Sequence, residues 1–563
     1  RTPPRAGTFH SLHASMAPQV LAIGPSLLAL LILANAAQEP VVGSSNSSSS
    51  TDEAPASAND DELSLLQQRL DVTRQRLQKP AAAPAPALAH YWPHARGRLG
   101  HYSHTPYSRM PADLNQSLAW SWHAPDFNTV LWGSLIDAQR NIYIAGYHGI
   151  WKFSPAGRQL WFSNMSTEMP TLVGGTLVGM RMLDCTAFAL NIETGAIVWS
   201  RRLWPNNGLH GDFVEVHNGV AIVAVGADSF SMSGSESTHV AGVSIEDGKQ
   251  LWEFRPDCGL WNIMALFPDN DTAVFSDKCG GAYRVGLYNG TQLWHAPGPH
   301  QSFTDGGAMI GPDSSVYTCS NPAGTSGLPL EPGVLRRYRL SDGARLWEVE
   351  LPLPCVNFPA VSMDGRSVVV APGALAGLAQ IKTMRGKPLE AQRRAYELQR
   401  SLLAANQQRS YYHQPDLEAS IMSFDAVTGS LQWEHKVKPW GGLAFAGDEK
   451  RAWNAIRQDK SKADPLGNQA FAGDQRLAGN ANRLDIPVEH CWPAHWSAPT
   501  IDQEGTIYIG RSSGDFHVYN PHTGQESIFH TGDGIMMAGA SFAPGLMVFA
   551  TCSSVYAFHV PPA

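Results

Sequence analysis

A glycine followed four residues later by a tryptophan recurs six times in this chain. The pairs are Gly157 and Trp161, Gly195 and Trp199, Gly248 and Trp252, Gly290 and Trp294, Gly343 and Trp347, and Gly429 and Trp433. Each lies in a phrase such as LNIETGAIVWS or VSIEDGKQLWE, and a seventh phrase, YNPHTGQESIF, keeps Gly524 but has Ile528 where tryptophan would stand. Successive tryptophans are 38, 53, 42, 53 and 86 residues apart. Asp-Gly, Asn-Gly and Thr-Gly between β-rich runs mark tight hairpins, because glycine takes a positive φ without steric cost. A second pattern precedes the phrases, as in LIDAQRNIYIAGYHGIWKF (135–153), AVSMDGRSVVVA (360–371) and TIDQEGTIYIGRSSGDFHVY (500–519). Each reads as strand, turn, alternating strand, turn, strand. One repeat is therefore four short antiparallel strands. A lone four-stranded sheet leaves both faces wet, and packing such sheets radially buries them, which is a β-propeller blade.

Seven blades follow from the seven phrases. Beyond them, GASFAPGLMVFATCSSVYAFHV (539–560) supplies three more strands, and NQSLAWSWHA (115–124) reads as an outer strand without inner partners. Pairing these closes an all-β, eight-bladed ring latched by an N-terminal strand, with seven blades as the alternative if 539–560 packs differently. The propeller is expected over 91–563, broken by insertions at 372–418 and 440–495. In the first insertion, 387–412 reads as a basic amphipathic helix.

Upstream, 1–15 reads as an extension or gene-model overrun. Residues 16–36 read as a signal peptide, an apolar stretch ending in small residues, with a signal anchor as the alternative. The stretch 37–90 is a polar, Pro/Ala-rich linker with a short amphipathic helix at 61–79. No other segment is apolar enough to span a bilayer. Net charge is −8, which gives no support for a nucleic-acid partner. A secreted or lumenal, monomeric protein is expected.

Repeats of this form resemble the pyrroloquinoline-quinone (PQQ) type repeat of quinoprotein alcohol dehydrogenase-like propellers, and the segment WPHARGRLGHYSHTPYS (92–108) resembles the one that opens them. The resemblance implies that the six tryptophans dock between blades. That family holds both quinone-dependent dehydrogenases and non-catalytic scaffolds. The dehydrogenases carry an adjacent-cysteine disulfide over the cofactor and a calcium site. This chain has no Cys-Cys pair and no clearly matching calcium triad, so PQQ and calcium are implied only if the resemblance extends to catalysis.

No catalytic or metal-binding set emerges from the residues. GRSSG (510–514) matches a nucleophile elbow around Ser512, but strand-like runs flank it where a helix should follow. His90, His94, His101 and His104 fit no zinc spacing and read as surface or capping groups. The pair His490 and His495 around Cys491 reads as a loop. Glu193, Asp247 and Asp342 recur at a hairpin turn, where local backbone hydrogen bonding explains them. None of the seven cysteines forms a CxxC. On the blade alignment Cys258, Cys355 and Cys491 fall in loops entering a blade, and Cys185, Cys279, Cys319 and Cys552 fall between second and third strands. All are expected on one face, with Cys258 and Cys279 the best disulfide candidate. The expected function is a binding or scaffolding module taking a protein or small-molecule ligand on that loop face. A PQQ-dependent oxidoreductase for alcohols or sugars is the alternative.

Overall fold

The computed structural model describes residues 89–562 except 99–100, 112, 126–129, 131, 147–148, 182–183, 205–208, 228–238, 261–264, 299–303, 305, 322–332, 356, 374–417, 440–495, 532, 536 and 538. The signal peptide expected at 16–36, the helices expected at 61–79 and 387–412, and nearly all of both insertions therefore lie outside the described residues.

Eight antiparallel sheets follow one another along the chain. From inner to outer strand, blade 1 is Ser134–Ile136, Ile142–Gly146, Gly149–Phe153 and Gln159–Ser163. Blade 2 is Thr171–Val173, Thr176–Met180, Thr186–Asn191 and Ile197–Arg202. Blade 3 is Leu209–His217, Val220–Ala227, His239–Ser244 and Gln250–Phe254. Blade 4 has Thr272–Ser276, Ala282–Gly286 and Gln292–Ala296, its inner position reduced to a bridge between Leu266 and Val274. Blade 5 is Met309–Gly311, Ser315–Ser320, Val334–Arg339 and Arg345–Glu350. Blade 6 is Ala360–Val361, Ser367–Val370, Ser420–Asp425 and Leu431–Lys436. Blade 7 is Thr500–Asp502, Ile507–Gly510, Asp515–Asn520 and Gln525–His530. Blade 8 is Ser541–Ala543, Leu546–Ala550 and Ser554–His559, completed by Leu118–His123 from the N-terminal side. The latch expected at 115–124 is thus shorter: Leu114–Ser117 is a helical turn capped by Asp113, and the strand begins at Leu118.

Middle strands such as Ile142–Gly146 and Leu546–Ala550 are buried throughout, because sheets cover both of their faces. Outer strands are largely exposed, as in Ile197–Arg202, where only Trp199 is partly covered. In every blade but the seventh, the ladder between third and outer strands skips one residue. The skipped residue immediately precedes the tryptophan. Val198 and Leu293, for example, are left unpaired and exposed beside Trp199 and Trp294. Such a bulge sharpens the local twist and turns the next side chain away from its own sheet.

That turn sends each indole to the following blade. Trp161 Nε1 donates to Ile192 O at 2.9 Å, Trp199 to Ile245 O at 2.8 Å and Trp252 to Leu287 O at 2.8 Å. Trp294 donates to Leu340 O at 2.8 Å and Trp347 to Ala426 O at 3.0 Å. Each accepting carbonyl lies three residues before the glycine of the next phrase, and the indole covers that glycine. A Cβ added to Gly343, at φ 72°, would stand 2.7 Å from the Trp294 ring. The repeat thus joins the tryptophan of one blade to the glycine of the next, not to the glycine of its own phrase. Trp120, on the latch strand, repeats the contact by donating to Pro155 O at 2.9 Å and covering Gly157.

A second repeated device is an aspartate six residues before a tyrosine, in DAQRNIY, DKCGGAY and DQEGTIY. Asp137 Oδ1 accepts from Gln139 N and Asn141 N, and Oδ2 accepts from the Tyr143 hydroxyl. Asp277 with Tyr283 and Asp502 with Tyr508 repeat it. Asp137 and Asp502 staple the hairpin between the first and second strands, and Asp277 staples the one between the second and third strands of blade 4.

Candidate functional site

In a four-stranded antiparallel blade the connections alternate between the two ends of the sheet. The connection entering each blade and the hairpin between its second and third strands therefore share one end, here called the loop face. Cys258 and Cys355 lie in entering connections, and Cys185, Cys279, Cys319 and Cys552 lie at second-to-third connections. Disulfides join Cys258 to Cys279 and Cys319 to Cys355, Cys552 is also disulfide-bonded, and Cys185 is a buried thiol pushed up to about 11 by burial. Cys491 is outside the described residues. Both insertions leave and rejoin the propeller on this same face. The first departs after Ser367–Val370 and returns at Ser420–Asp425, two strands that still pair in register, and the second separates blade 6 from blade 7.

The channel beneath that face is filled by the opening segment. Trp92 exchanges two backbone hydrogen bonds with Ile136 of blade 1, and its ring meets Phe542 of blade 8. Pro93 O accepts from Leu172 N of blade 2, and His94 faces Glu215 of blade 3. The Tyr102 hydroxyl accepts from Phe267 N of blade 4, and His101–Tyr102 lies beside Met309–Gly311 of blade 5. Ser103 Oγ accepts from Val361 N of blade 6, and His104–Thr105 runs parallel to Ile501 and Asp502 of blade 7. The segment makes one circuit of the axis and reaches the innermost region of all eight blades. An open channel would leave the inner strands' N–H and C=O groups without partners, and this backbone supplies them.

The expectation that His90, His94 and His104 are surface or capping groups is corrected by this circuit: all three are buried. His101's side chain is outside what the structure describes. A run containing His, Arg and Tyr looks like a solvated loop in sequence. In the fold it is surrounded by eight sheet edges, each needing polar contacts.

Inside the plug, burial, with some help from the charge of Arg96, pushes the His94 imidazole down to about 3. Burial holds the Glu215 carboxyl well above its usual range, against the opposing hydrogen bond from Thr171. His94 Nε2 stands 3.5 Å from Glu215 Oε2, and burial favours the uncharged form of both partners. Arg96 is fully buried. Its Nη2 donates to Pro499 O at 2.7 Å and its guanidinium lies over the Phe358 ring, while Nε and Nη1 meet no acceptor. Pro499 and Phe358 precede the inner strands of blades 7 and 6, so the guanidinium points toward the loop face.

The six Gly-x-x-x-Trp pairs sit at blade junctions around the ring, away from this plug. Ser512 lies between the strands Ile507–Gly510 and Asp515–Asn520, in a turn with Gly514 at φ 89°, so it has no helix behind it. Asp247 and Asp342 accept from Lys249 N and Ala344 N in their turns, while Glu193 pairs with buried Lys152 at 3.5 Å. Among the described residues, one group brings three His, Cys or carboxylate ligand atoms together: Cys258, Asp277 and Cys279. Its two sulfurs are bonded to each other, and Asp277 already accepts from Cys279 N, Gly281 N and Tyr283 Oη. Calcium needs six or more oxygens, so this group does not fit it. Arg96 and Glu215 went unmarked in the sequence. The one signal was that Arg96 sits in the segment resembling a propeller opening.

Residues 149–322 match the family model described as PQQ_2, outer membrane protein assembly factor BamB. No curated protein matches the sequence. The fold is similar to quinohemoprotein alcohol dehydrogenase ADHIIG from Pseudomonas putida HK5, at TM-score 0.52 and 10% identity, covering 85% of this chain and 83% of that one. BamB from Moraxella catarrhalis aligns at TM-score 0.45 and 13% identity over 79% of this chain and 99% of that one. Quinohemoprotein alcohol dehydrogenase from Comamonas testosteroni aligns at TM-score 0.48 and 11% identity, over 87% and 82%. Among the described residues no helix is long and apolar enough to cross a membrane. Repeat, bulge and ring closure together make this chain an eight-bladed β-propeller whose residues 149–322 match the PQQ-type repeat.

Proposed function

We propose that the protein is a binding and scaffolding propeller of the secretory pathway or the extracellular space, engaging its partner on the loop face. One observation carries the reading: both large insertions and every described cysteine-bearing connection open on that face, above a channel closed by the protein's own chain. Long segments mounted on a rigid scaffold are where binding residues concentrate. Disulfides beneath them suit an oxidising compartment. The tryptophan–glycine contacts act as docking clamps that keep the scaffold rigid. The family model matched at 149–322 is named for an assembly factor, which favours a protein partner over turnover of a small molecule.

The test replaces 375–416 with a short Gly/Ser loop, leaving the Gly373–Ala419 bridge in place. Capture of a defined partner by the intact chain and its loss in the replaced chain is the expected result. The oxidoreductase reading is separated by reconstitution with PQQ and Ca²⁺ and a dye-linked alcohol oxidation assay. Turnover there would overturn the scaffold reading.

A further inference from the structure

We propose that Arg96 forms the floor of an oxyanion site beneath the loop face, taking the carboxylate or phosphate group of a small ligand. The inference deepens the binding reading above and rests on it for the face involved.

An arginine brings five N–H donors, and here the Nε and Nη1 donors lack an acceptor while the whole side chain is removed from water. Burial lowers the guanidinium only to about 9, so it remains a cation at neutral pH. Among the described residues no carboxylate pairs with it. The acid that shares the plug, Glu215, faces His94 at 3.5 Å and accepts from Thr171, and burial disfavours its charged form. A buried charge without a counter-charge is strongly unfavourable. A water molecule would satisfy the hydrogen bonds and leave the charge. An oxyanion answers both, through charge-assisted N–H···O contacts.

The surroundings fix the group in place. Arg96 N donates to His94 Nδ1 at 3.2 Å, and Arg96 O accepts from Ser103 N at 2.8 Å. The Phe358 ring, 5.5 Å from the guanidinium carbon, makes one wall and lowers the local dielectric. Gly539, in the connection entering blade 8, makes room for the guanidinium: a Cβ there would stand 2.8 Å from Nη1. The donors are thus held on three blades at once and need no rearrangement to meet an anion.

The experiment uses the full chain and reads thermal unfolding and titration calorimetry in sodium chloride, sodium succinate and inorganic phosphate at matched ionic strength. Succinate or phosphate is expected to raise the melting temperature over chloride in a concentration-dependent way, and the better of the two identifies the headgroup. Arg96→Met, which removes a buried charge and keeps the bulk, is expected to fold and to bind the anion at least about tenfold more weakly. Arg96→Lys is expected to keep part of the effect and serves as the readout if the Met variant does not fold. Equal shifts in wild type and Arg96→Met, no loss in Arg96→Lys when that is the readout, or no anion-specific shift in wild type, would each overturn the proposal. Loss of anion binding in Arg96→Met with partner capture intact separates this site from the scaffold reading. Capture depends on the insertions and fails or succeeds on its own.

Discussion

Blade 7 and its neighbours have the same four strands, yet they are joined differently. Six junctions, from blade 8 to blade 1 and onward to blade 6, carry a bulge, an indole and a covered glycine. At the junction from blade 6 to blade 7, Trp433 meets Tyr519 edge-on, and a Cβ on Gly524 would touch nothing within 4 Å. That junction is held instead by His435 stacked on Tyr519 at 4.0 Å, and by Glu526 accepting from His435 and His517. From blade 7 to blade 8 there is no indole. Phe516 stacks on Phe549 at 3.9 Å, and Phe529 packs on Tyr556 and Phe558. Blade 7 lacks both the outer-strand bulge and the tryptophan. Blade 6 keeps both the bulge and Trp433 and still leaves Gly524 uncovered, so the bulge alone does not seat an indole on the next glycine.

The largest expected effect separates the two kinds of junction directly. Trp294→Ala should cost about 3–5 kcal/mol in chemical denaturation, since it empties an interblade contact and its hydrogen bond. Ile528→Ala, at a position with 44% exposure, should cost less than about 1.5 kcal/mol by the same measure. Equal losses would break the distinction.

The glycines sharpen it. Gly343 and Gly524 have nearly the same φ, 72° and 70°. Alanine at either position meets the left-handed backbone penalty of roughly 1–2 kcal/mol. Only at Gly343 does it also strike an indole, so Gly343→Ala should be the more destabilising by at least about 1 kcal/mol. Adding a tryptophan without its bulge is a third test. Ile528→Trp should leave stability within about 0.5 kcal/mol, because the Gln525–His530 ladder offers no turn to aim it.

The smallest effects are pH-dependent and opposite in sign. Burial would raise Glu526, but its hydrogen bonds from His517 and His435 outweigh this and lower it below 4.5. Its contribution is present above that pH and is lost as the pH falls through the folded value, so Glu526→Gln should matter at pH 7 and progressively less as the solution is acidified below 4.5. Being partly exposed, it is expected to amount to less than about 1 kcal/mol. Glu215, raised by burial, contributes below its unfolded value of 4.5 and loses that contribution as the pH rises. Glu215→Gln should therefore flatten the alkaline side of the stability profile, read by thermal melts.

The blade was legible from local chemistry alone. Gly195, Trp199 and their equivalents mark hairpin and outer strand because turn chemistry and strand alternation are local and period two. The same locality explains the eight-blade count and the latch read at 115–124, whose alternation was visible without partners and which the fold shortens to Leu118–His123. Which groups meet was settled by the packing of the ring. The spacing pairs each glycine with its own tryptophan, whereas the bulge and the ring closure hand that tryptophan to the next blade. The opening segment, polar enough to pass for a solvated loop, became a plug because eight inner strands present unpaired backbone toward one axis. Arg96 drew its isolation from the same source: Pro499, Phe358 and Gly539 reach it from three blades, and contacts between segments so far apart leave no periodic trace in a chain.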